Sequence, residues 1–304
     1  MRTTDLPLVV GVDGSEPSLR AVDWAADEAA LRQVPLRVVY ASLWERYEHT
    51  ALARELGKPD EHVRAQVVVE AAALRARARQ DGLTVVGAAL PEEPEYTLVR
   101  EGREACALVV GTRGRSGVAG LLLGSVSLFV AAHADCPVVV VRGNNDNQAR
   151  TPVHGRVVVG VGDGTSSGDG NGPAAAVRFA AREAGLRAAV LEAVRAWRSP
   201  ARASVEHPLI DGQPDPYEVR AAEALDVALR DVPQDVKVRC HAVEGPARRV
   251  LLAAAHEADL LVVGARRRTG HFGLQLGRTA HTVLHHSACP VAVVPERERE
   301  RERA

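Results

Sequence analysis

The feature that most constrains the fold of this chain is an internal duplication. Residues 108–141 align without a gap with residues 261–294, and about half of the paired positions are identical. The similarity extends upstream, where AVDWAADEAALR at 21–32 matches AVRFAAREAGLR at 176–187. A chain of 304 residues is long enough for two domains, each with its own core. The repeat therefore predicts two copies of one domain in tandem.

We predict the domain boundaries from the points where the repeat stops. The first domain spans residues 1–142 and the second spans residues 153–295. The segment 143–152 between them is polar and has no hydrophobic periodicity, which is typical of a linker. The charged tail 296–304 reads ERERERERA, has no apolar face and is predicted to be a solvated extension.

Within each half, short apolar runs alternate with helical patterns. The runs are continuous, which is typical of strands covered on both faces of a sheet. Strands that alternate with helices predict parallel pairing through right-handed crossovers, so each half is predicted to be a doubly wound, open, Rossmann-like α/β sheet of five strands. The strands are predicted near 7–12, 35–41, 83–88, 106–111, 137–141, 157–162, 190–196, 236–242, 259–264 and 290–294. The helices are predicted near 16–32, 61–80, 95–104, 125–134, 173–186, 217–230, 246–257 and 278–286.

The stretch VVGTRGRSGVAGLLLGSVS at 109–127 carries glycines where the fourth strand ends and the next helix begins. Gly111 ends the strand, Gly114 lies in the following loop, and Gly124 precedes the expected N-cap residue, Ser125. Ligands bind beyond the carboxyl ends of strands in such sheets. Glycine permits a close backbone approach to an anion, and a helix N-terminus offers N–H donors. The pattern indicates a phosphate site, with a plain turn as the alternative.

Other residues add to this site. Arg113 and Arg115 could contribute positive charge in the loop. Asp13 follows the first strand, where a short acceptor can reach a base or a ribose. The second strand ends at Ala41, whose backbone edge could pair with an adenine ring.

These motifs together resemble the universal stress protein family. The resemblance is carried by GVDGS near the N-terminus, the spacing G-x2-G-x9-G-S, and the ending HADCPVVVV. It covers both halves and leaves out only the linker and the tail, so the chain resembles a tandem member. The resemblance implies the sheet order 3-2-1-4-5. It also implies a site for ATP with Mg²⁺ in members that have the full glycine motif.

The resemblance assigns a role to each matching residue. It implies that Asp13 and the backbone at Ala41 hold adenosine. The residues that it implies for the phosphates are Gly111, Gly114, Gly124 and Ser125, with Arg113 and the Val126 amide nearby. It further implies packing through the last strand, either between the two halves as a pseudo-dimer or between two chains as a homodimer.

The sequence favours a regulatory, ATP-binding protein of the stress response over a dedicated catalyst. It contains no P-loop motif GxxxxGK[ST], and no general base is indicated. Two alternatives stay open. One is a slow ATPase or another nucleotide-using enzyme on the same sheet, and the other is a nucleotide-independent module that binds a protein partner.

The second copy of the glycine stretch, VVGARRRTGHFGLQLGRTA at 262–280, is altered. Arg267 replaces the residue that matches Gly114, and Arg278 replaces the serine expected as the N-cap. The arginines either clamp an anion or fill a decayed site. The four candidates are Arg266, Arg267, Arg268 and Arg278. The two halves are thus predicted to share a fold but not a ligand.

Composition limits the remaining function classes. A formal net charge of −1 gives no general attraction to nucleic acid. No apolar run reaches the roughly 18 residues that span a bilayer, and the N-terminus lacks a leader pattern, so no membrane partner and a cytoplasmic location are expected.

The metal-binding residue types are also sparse. The four cysteines have no metal-like spacing and are expected to be reduced and mostly buried. His281, His285 and His286 form H-x3-H-H, for which a solvent-facing or capping role is favoured over a metal site. No metal held by protein ligands is predicted.

Overall fold

The computed structural model describes residues 6–43, 61–112, 123–142, 154–162, 175–199, 215–266 and 276–296. The chain divides into two compact units with a boundary between residues 151 and 152. Each unit contains one copy of the repeat.

The first domain alternates strands and helices throughout its described part. Its strands are β1 (Leu8–Val12), β2 (Leu36–Ala41), β3 (Val85–Leu90), β4 (Ala107–Gly111) and β5 (Val138–Val141). Its helices are α1 (Glu16–Arg32), α2 (Glu61–Arg79), α3 (Pro94–Glu101) and α4 (Ser125–His133), with a short 3₁₀ turn at Gly102–Glu104.

All strands of the first domain are parallel and lie in the order β3-β2-β1-β4-β5. Leu8 of β1 pairs with Leu36 on one side and with Ala107 on the other. The chain therefore winds outward from β1 in one direction and then returns to form β4 on its other side. This arrangement confirms the doubly wound sheet and the order 3-2-1-4-5 that the resemblance implied.

The second domain repeats this architecture. Its strands are β6 (Arg156–Gly160), β7 (Val190–Trp197), β8 (Val238–Glu244), β9 (Leu260–Arg266) and β10 (Val291–Glu296). Its helices are α5 (Ala175–Leu186), α6 (Pro216–Leu229), α7 (Ala247–Ala255) and α8 (Arg278–His286). The strands are again parallel, in the order β8-β7-β6-β9-β10.

One packing contact recurs in both domains between the first strand and the helix that follows the third strand. A Cβ atom at Gly11 would lie 2.9 Å from Cδ1 of Leu98 on α3. In the second domain, a Cβ atom at Gly160 would lie 3.0 Å from Cδ1 of Leu251 on α7. The glycines leave room for the leucines, so both helices lie close against their sheets.

Burial follows the position of each strand in its sheet. Every residue of β1 and β4 is buried, as expected for central strands. The prediction of two covered faces is wrong for β3 and β8, whose residues are mostly partly or fully exposed. Both strands lie at an edge in the order of their sheets, and at such a position the continuous apolar run of β3 did not predict two covered faces. Val86 of β3, for example, is 49% exposed.

A buried ion pair occurs at the same place in both copies. Glu28 and Arg32 lie one turn apart on α1, with 2.5 Å between Oε1 and Nε and only 2% of each side chain exposed. Glu183 pairs in the same way with Arg187 at the end of α5. Each glutamate is buried and its charge is balanced by an arginine four residues further along the chain.

Cysteine alkylation should distinguish one thiol from the others. Cys240 is exposed, whereas Cys106, Cys136 and Cys289 are buried, and none forms a disulfide. Burial raises the pKa of the Cys289 thiol to about 11, so little of the reactive thiolate exists at pH 8. Iodoacetamide at pH 8 should label native protein at Cys240 first, as read by peptide mass spectrometry. Cys240→Ser should remove this labelling, and equal labelling of Cys289 would contradict the assignment.

None of the helices in the described ranges is both long enough and apolar enough to cross a membrane.

Candidate functional site

The predicted site lies at the carboxyl edge of the first sheet, where the winding direction reverses. β1 and β4 are neighbours in the sheet, but the chain forms β2 and β3 between them. Asp13 directly follows β1, and Gly111 is the last residue of β4. In doubly wound sheets the crevice outside such a pair of strand ends is the usual ligand site.

Asp13 is held in place by the start of α1. Its Oδ1 atom accepts hydrogen bonds from the backbone N–H of Ser15 at 2.9 Å and from the Ser15 hydroxyl at 2.6 Å. Ser15 is the N-cap of α1, and its Oγ atom accepts from the N–H of Ser18 at 3.4 Å. The hydroxyl of Ser18 in turn donates to the Ser15 carbonyl at 2.8 Å. This network fixes the half-buried carboxylate at the edge of the sheet.

Ala41 lies beside Asp13 at the end of the second strand. The register between β1 and β2 ends with Val12 opposite Tyr40, so Ala41 is one residue past the last β1 partner. On its other side Ala41 still pairs with Leu90 of β3. Its backbone edge toward β1 is thus outside the β1 ladder, as an adenine contact would require.

Gly111 also has a packing role, besides the phosphate contact that its position predicts. A Cβ atom at this position would lie 2.6 Å from the carbonyl oxygen of Pro17 and 3.0 Å from the backbone nitrogen of Ser18. Both are backbone atoms of the first turn of α1, which cannot move aside like a flexible side chain. Glycine is therefore required here for the close approach of β4 to α1.

Helix α4 begins next to the end of β4, but its cap differs from the prediction. The N-cap is Gly124, whereas Ser125 is the first helical residue and is exposed, so the prediction of Ser125 as N-cap is wrong. The N–H of Gly124 donates to the carbonyl of Thr112 at 2.7 Å, and this bond sets where the helix starts. The N–H groups of Ser125 and Val126 have no intrahelical acceptor at these first-turn positions.

Ser127 supports the site and was missed by sequence reasoning. It is buried, and its hydroxyl donates to the carbonyl of Gly111 at 2.6 Å, which ties α4 to the end of β4. The matching residue of the second copy is Ala280, which cannot make this bond. That difference between the copies is the signal that could have identified Ser127.

Part of the predicted site lies outside the described residues. The structure places Asp13, Ala41, Gly111 and the start of α4 at one edge of the first sheet. Arg113, Gly114 and Arg115 fall in the undescribed range 113–122, so their predicted roles stay predictions.

In the altered glycine motif of the second domain, the described residues include those at the start of α8. Gly277 is the N-cap of α8 and Arg278 is the first helical residue. The prediction that Arg278 occupies the N-cap position is therefore wrong. Arg267 and Arg268 lie outside the described residues, and only the backbone of Arg266 is described.

The three histidines lie at the end of α8. The rings of His281 and His285 stack with their centroids 4.4 Å apart. Among the residues that the structure covers, no group of three or more His, Cys, Asp or Glu side chains is arranged to hold a metal ion.

Comparisons with known proteins agree with this architecture. The model of the Universal stress protein family matches residues 7–142 and again residues 155–295. Universal stress protein Rv1996 of Mycobacterium tuberculosis is 33% identical over 313 residues, which cover 95% of each chain. The crystal structure of a universal stress protein from Archaeoglobus fulgidus is similar in fold, with a TM-score of 0.69, 17% identity, and coverage of 97% of this chain and 99% of that one.

A third similarity covers less of the chain. A universal stress protein solved in complex with cAMP is 31% identical, but it covers 45% of this chain and 97% of its own, with a TM-score of 0.36. That likeness is too limited in extent to transfer its ligand to this chain.

The repeated sheet and the glycine-ended fourth strand beside a helix N-terminus define a tandem protein of the doubly wound α/β class. The family match extends over both domains and nearly the whole described chain. This chain belongs to the universal stress protein family.

Proposed function

We propose that this protein is an ATP-binding regulator of the stress response whose nucleotide is held mainly by the first domain. The first domain comprises residues 1–142 with the intact glycine motif, and the second comprises residues 153–295 with the altered motif. The cytoplasmic location and the packing through the last strands belong to the same proposal.

One observation carries the proposal. Three features that suit different parts of a nucleotide lie at one edge of the first sheet: the carboxylate of Asp13, the strand end at Ala41, and the start of α4. They flank β1, the strand at which the winding direction reverses. An isolated glycine-rich turn would not need the other two features.

Each part of ATP has a matching group in this arrangement. Asp13 accepts hydrogen bonds and suits a ribose hydroxyl, while the backbone at Ala41 suits the edge of adenine. The first-turn N–H groups of Ser125 and Val126 and the positive end of the α4 dipole suit the phosphates. Gly111, Arg113, Gly114 and Gly124 complete the predicted phosphate loop. Mg²⁺ would neutralise the phosphates and be held mainly through them.

Titration calorimetry of ATP with Mg²⁺ tests the proposal. The full chain is expected to bind about one nucleotide, and Asp13→Ala is expected to weaken binding by at least roughly tenfold, because a hydrogen bond to a charged group contributes about 1.5–3 kcal/mol. Asp13→Asn keeps an acceptor for Ser15 and should lie between the two. Asp81→Ala, an exposed aspartate in the turn after α2, is the matched control and should bind normally. Absence of ATP binding by the unaltered chain would reject the proposal.

Gly114→Arg makes the first loop resemble the second and should abolish ATP binding while the circular dichroism spectrum stays unchanged. Mass spectrometry of the ligand released from purified protein should then find an adenine nucleotide in the unaltered chain only. Equal nucleotide content in both proteins would show that the loop does not hold the phosphates.

The enzymatic alternative is tested separately, by measuring ADP release. A slow ATPase would release ADP in a Mg²⁺-dependent reaction that Ser125→Ala reduces. ADP release no faster than that of heat-inactivated protein would favour the regulatory function. For a nucleotide-independent interaction module, binding of the protein partner would be unaffected by Gly114→Arg.

A further inference from the structure

The second domain contains an open cavity of about 660 Å³ at the carboxyl edge of its sheet. Ligand sites commonly measure roughly 300–1,000 Å³, so the cavity is large enough for a small molecule. It is formed by the ends of β7 and β8 and by the first residues of α6, α7 and α8. The N–H of Gly245 donates to the carbonyl of Trp197 at 2.8 Å and joins the two strand ends there.

Three helices begin at this cavity, and two of them have no side-chain cap. Neither Pro246 before α7 nor Gly277 before α8 provides a capping hydrogen bond from its side chain. Asp215 caps α6 and accepts from the N–H of Tyr217 at 2.8 Å. The starts of α7 and α8 therefore direct donors and positive dipole ends toward the same space.

The cavity is also lined by arginines. Five of the lining residues are arginines and none of the lining residues within the described ranges is acidic. The five are Arg195, Arg198, Arg220, Arg248 and Arg278. Arg220 stacks over the ring of Tyr217, with its guanidinium carbon 5.9 Å from the centroid.

Four of the five lining arginines have no ion pair with a carboxylate in the described part of the chain: Arg198, Arg220, Arg248 and Arg278. Elsewhere, Arg75 pairs with Asp23, and Arg79 pairs with Asp27. Like charges that gather around one cavity repel one another, and an anionic ligand would remove that repulsion.

The positive charge is specific to the second domain. Gly11 and Gly160 occupy matching places, and their strand partners are Val39 and Val194. Leu98 on α3 contacts Gly11, and Leu251 on α7 contacts Gly160, so the two leucines align these helices. By this alignment, the first-domain counterparts of Arg195, Arg198, Arg248 and Arg278 are Tyr40, Leu43, Glu95 and Ser125. None of these four residues is basic.

We propose that this cavity binds a small ligand that contains no nucleoside and carries at least three linked or clustered phosphate groups. Guanidinium groups bind phosphate oxygens in pairs of parallel hydrogen bonds, which makes several arginines around one cavity suited to several phosphates. The uncapped starts of α7 and α8 add backbone donors for the same groups. A single carboxylate or phosphate would balance only part of the charge. The second domain thus takes a different ligand class from the nucleotide proposed for the first.

Titration calorimetry with inorganic tripolyphosphate tests this proposal on the full chain at fixed ionic strength. The double variant Arg248→Glu/Arg278→Ser carries the first-domain residues and is expected to weaken tripolyphosphate binding by at least roughly tenfold. Orthophosphate should bind at least about tenfold more weakly than tripolyphosphate, because it reaches fewer of the arginines. Gly114→Arg, which removes the phosphate loop proposed for the first domain, should leave tripolyphosphate binding at this cavity unchanged, so the result is separable from nucleotide binding by the first domain.

A matched control tests whether the effect belongs to the cavity. Arg182→Glu/Arg230→Ser changes the net charge by the same amount at exposed positions of α5 and the end of α6. It should alter tripolyphosphate affinity by less than about twofold, because exposed charges act weakly at a distance. If both double variants lose the same tripolyphosphate affinity, the binding is general charge attraction and the proposal is overturned. The proposal also fails if ATP binds at this cavity as tightly as tripolyphosphate does, because the ligand would then be a nucleotide.

Discussion

Replacing Glu28 with alanine is expected to lower the free energy of unfolding of the first domain by about 3–5 kcal/mol. Both partners of the Glu28–Arg32 pair are 2% exposed, so the substitution leaves a guanidinium buried without its carboxylate. Urea unfolding should be followed by tryptophan fluorescence in a Trp197→Phe background. The remaining tryptophans, Trp24 and Trp44, then both belong to the first domain.

Glu16→Ala is the matched control because it lies on the same helix with the same spacing to its arginine. Glu16 is 61% exposed and its Oε1 atom is 3.7 Å from Arg20 Nη1, so its loss should cost less than about 1 kcal/mol. If the two substitutions shift the urea midpoint equally, the burial of the Glu28 pair is not what stabilises α1.

Gly111→Ala is expected to destabilise the first domain by about 1–3 kcal/mol, as overpacking does in well-packed cores. The added Cβ would lie 2.6 Å from the carbonyl oxygen of Pro17, so β4 and the first turn of α1 must separate. Because Asp13 is held by that turn, ATP affinity should fall together with stability. The same fluorescence and calorimetry assays measure both effects.

Gly185→Ala provides a control of opposite sign. Gly185 lies in α5, and the nearest atom to an added Cβ is a Val236 methyl at an ordinary 3.7 Å. Alanine should stabilise this helix by roughly 0.5–1 kcal/mol relative to glycine. A stabilising or neutral Gly111→Ala would show that β4 and α1 can move apart freely.

The elements with strong local signals were predictable from the sequence. Helix α1 was predicted at 16–32 and observed at Glu16–Arg32, because Ser15 and Pro17 mark its start and apolar residues repeat at helical spacing. Strand β3 was predicted at 83–88 but observed at Val85–Leu90. Pairing with β2 begins with Val85 opposite Leu36 and ends with Leu90 opposite Ala41, so the neighbouring strand determines the bounds of β3.

The candidate site was less predictable because tertiary contacts decide its details. Gly124 and Ser125 are both acceptable caps, and only the hydrogen bond from Gly124 to Thr112 selects the first. Among the arginines of the second domain, the sequence identified Arg278 through the glycine motif. It gave no reason to connect Arg278 with Arg195 or Arg248, because only the crossovers of the sheet bring these residues to one cavity.

The contact between Gly160 and Leu251 links the core of the second domain to that cavity. Leu251 occupies the space that a side chain at Gly160 would fill, and Arg248 lies nearly one turn before it on the same helix. A methyl group at Gly160 would push Leu251, and α7 with it, away from the sheet. Arg248 would then move away from the strand ends. A substitution at Gly160, which does not line the cavity, would thus change the distances between the charged side chains that do.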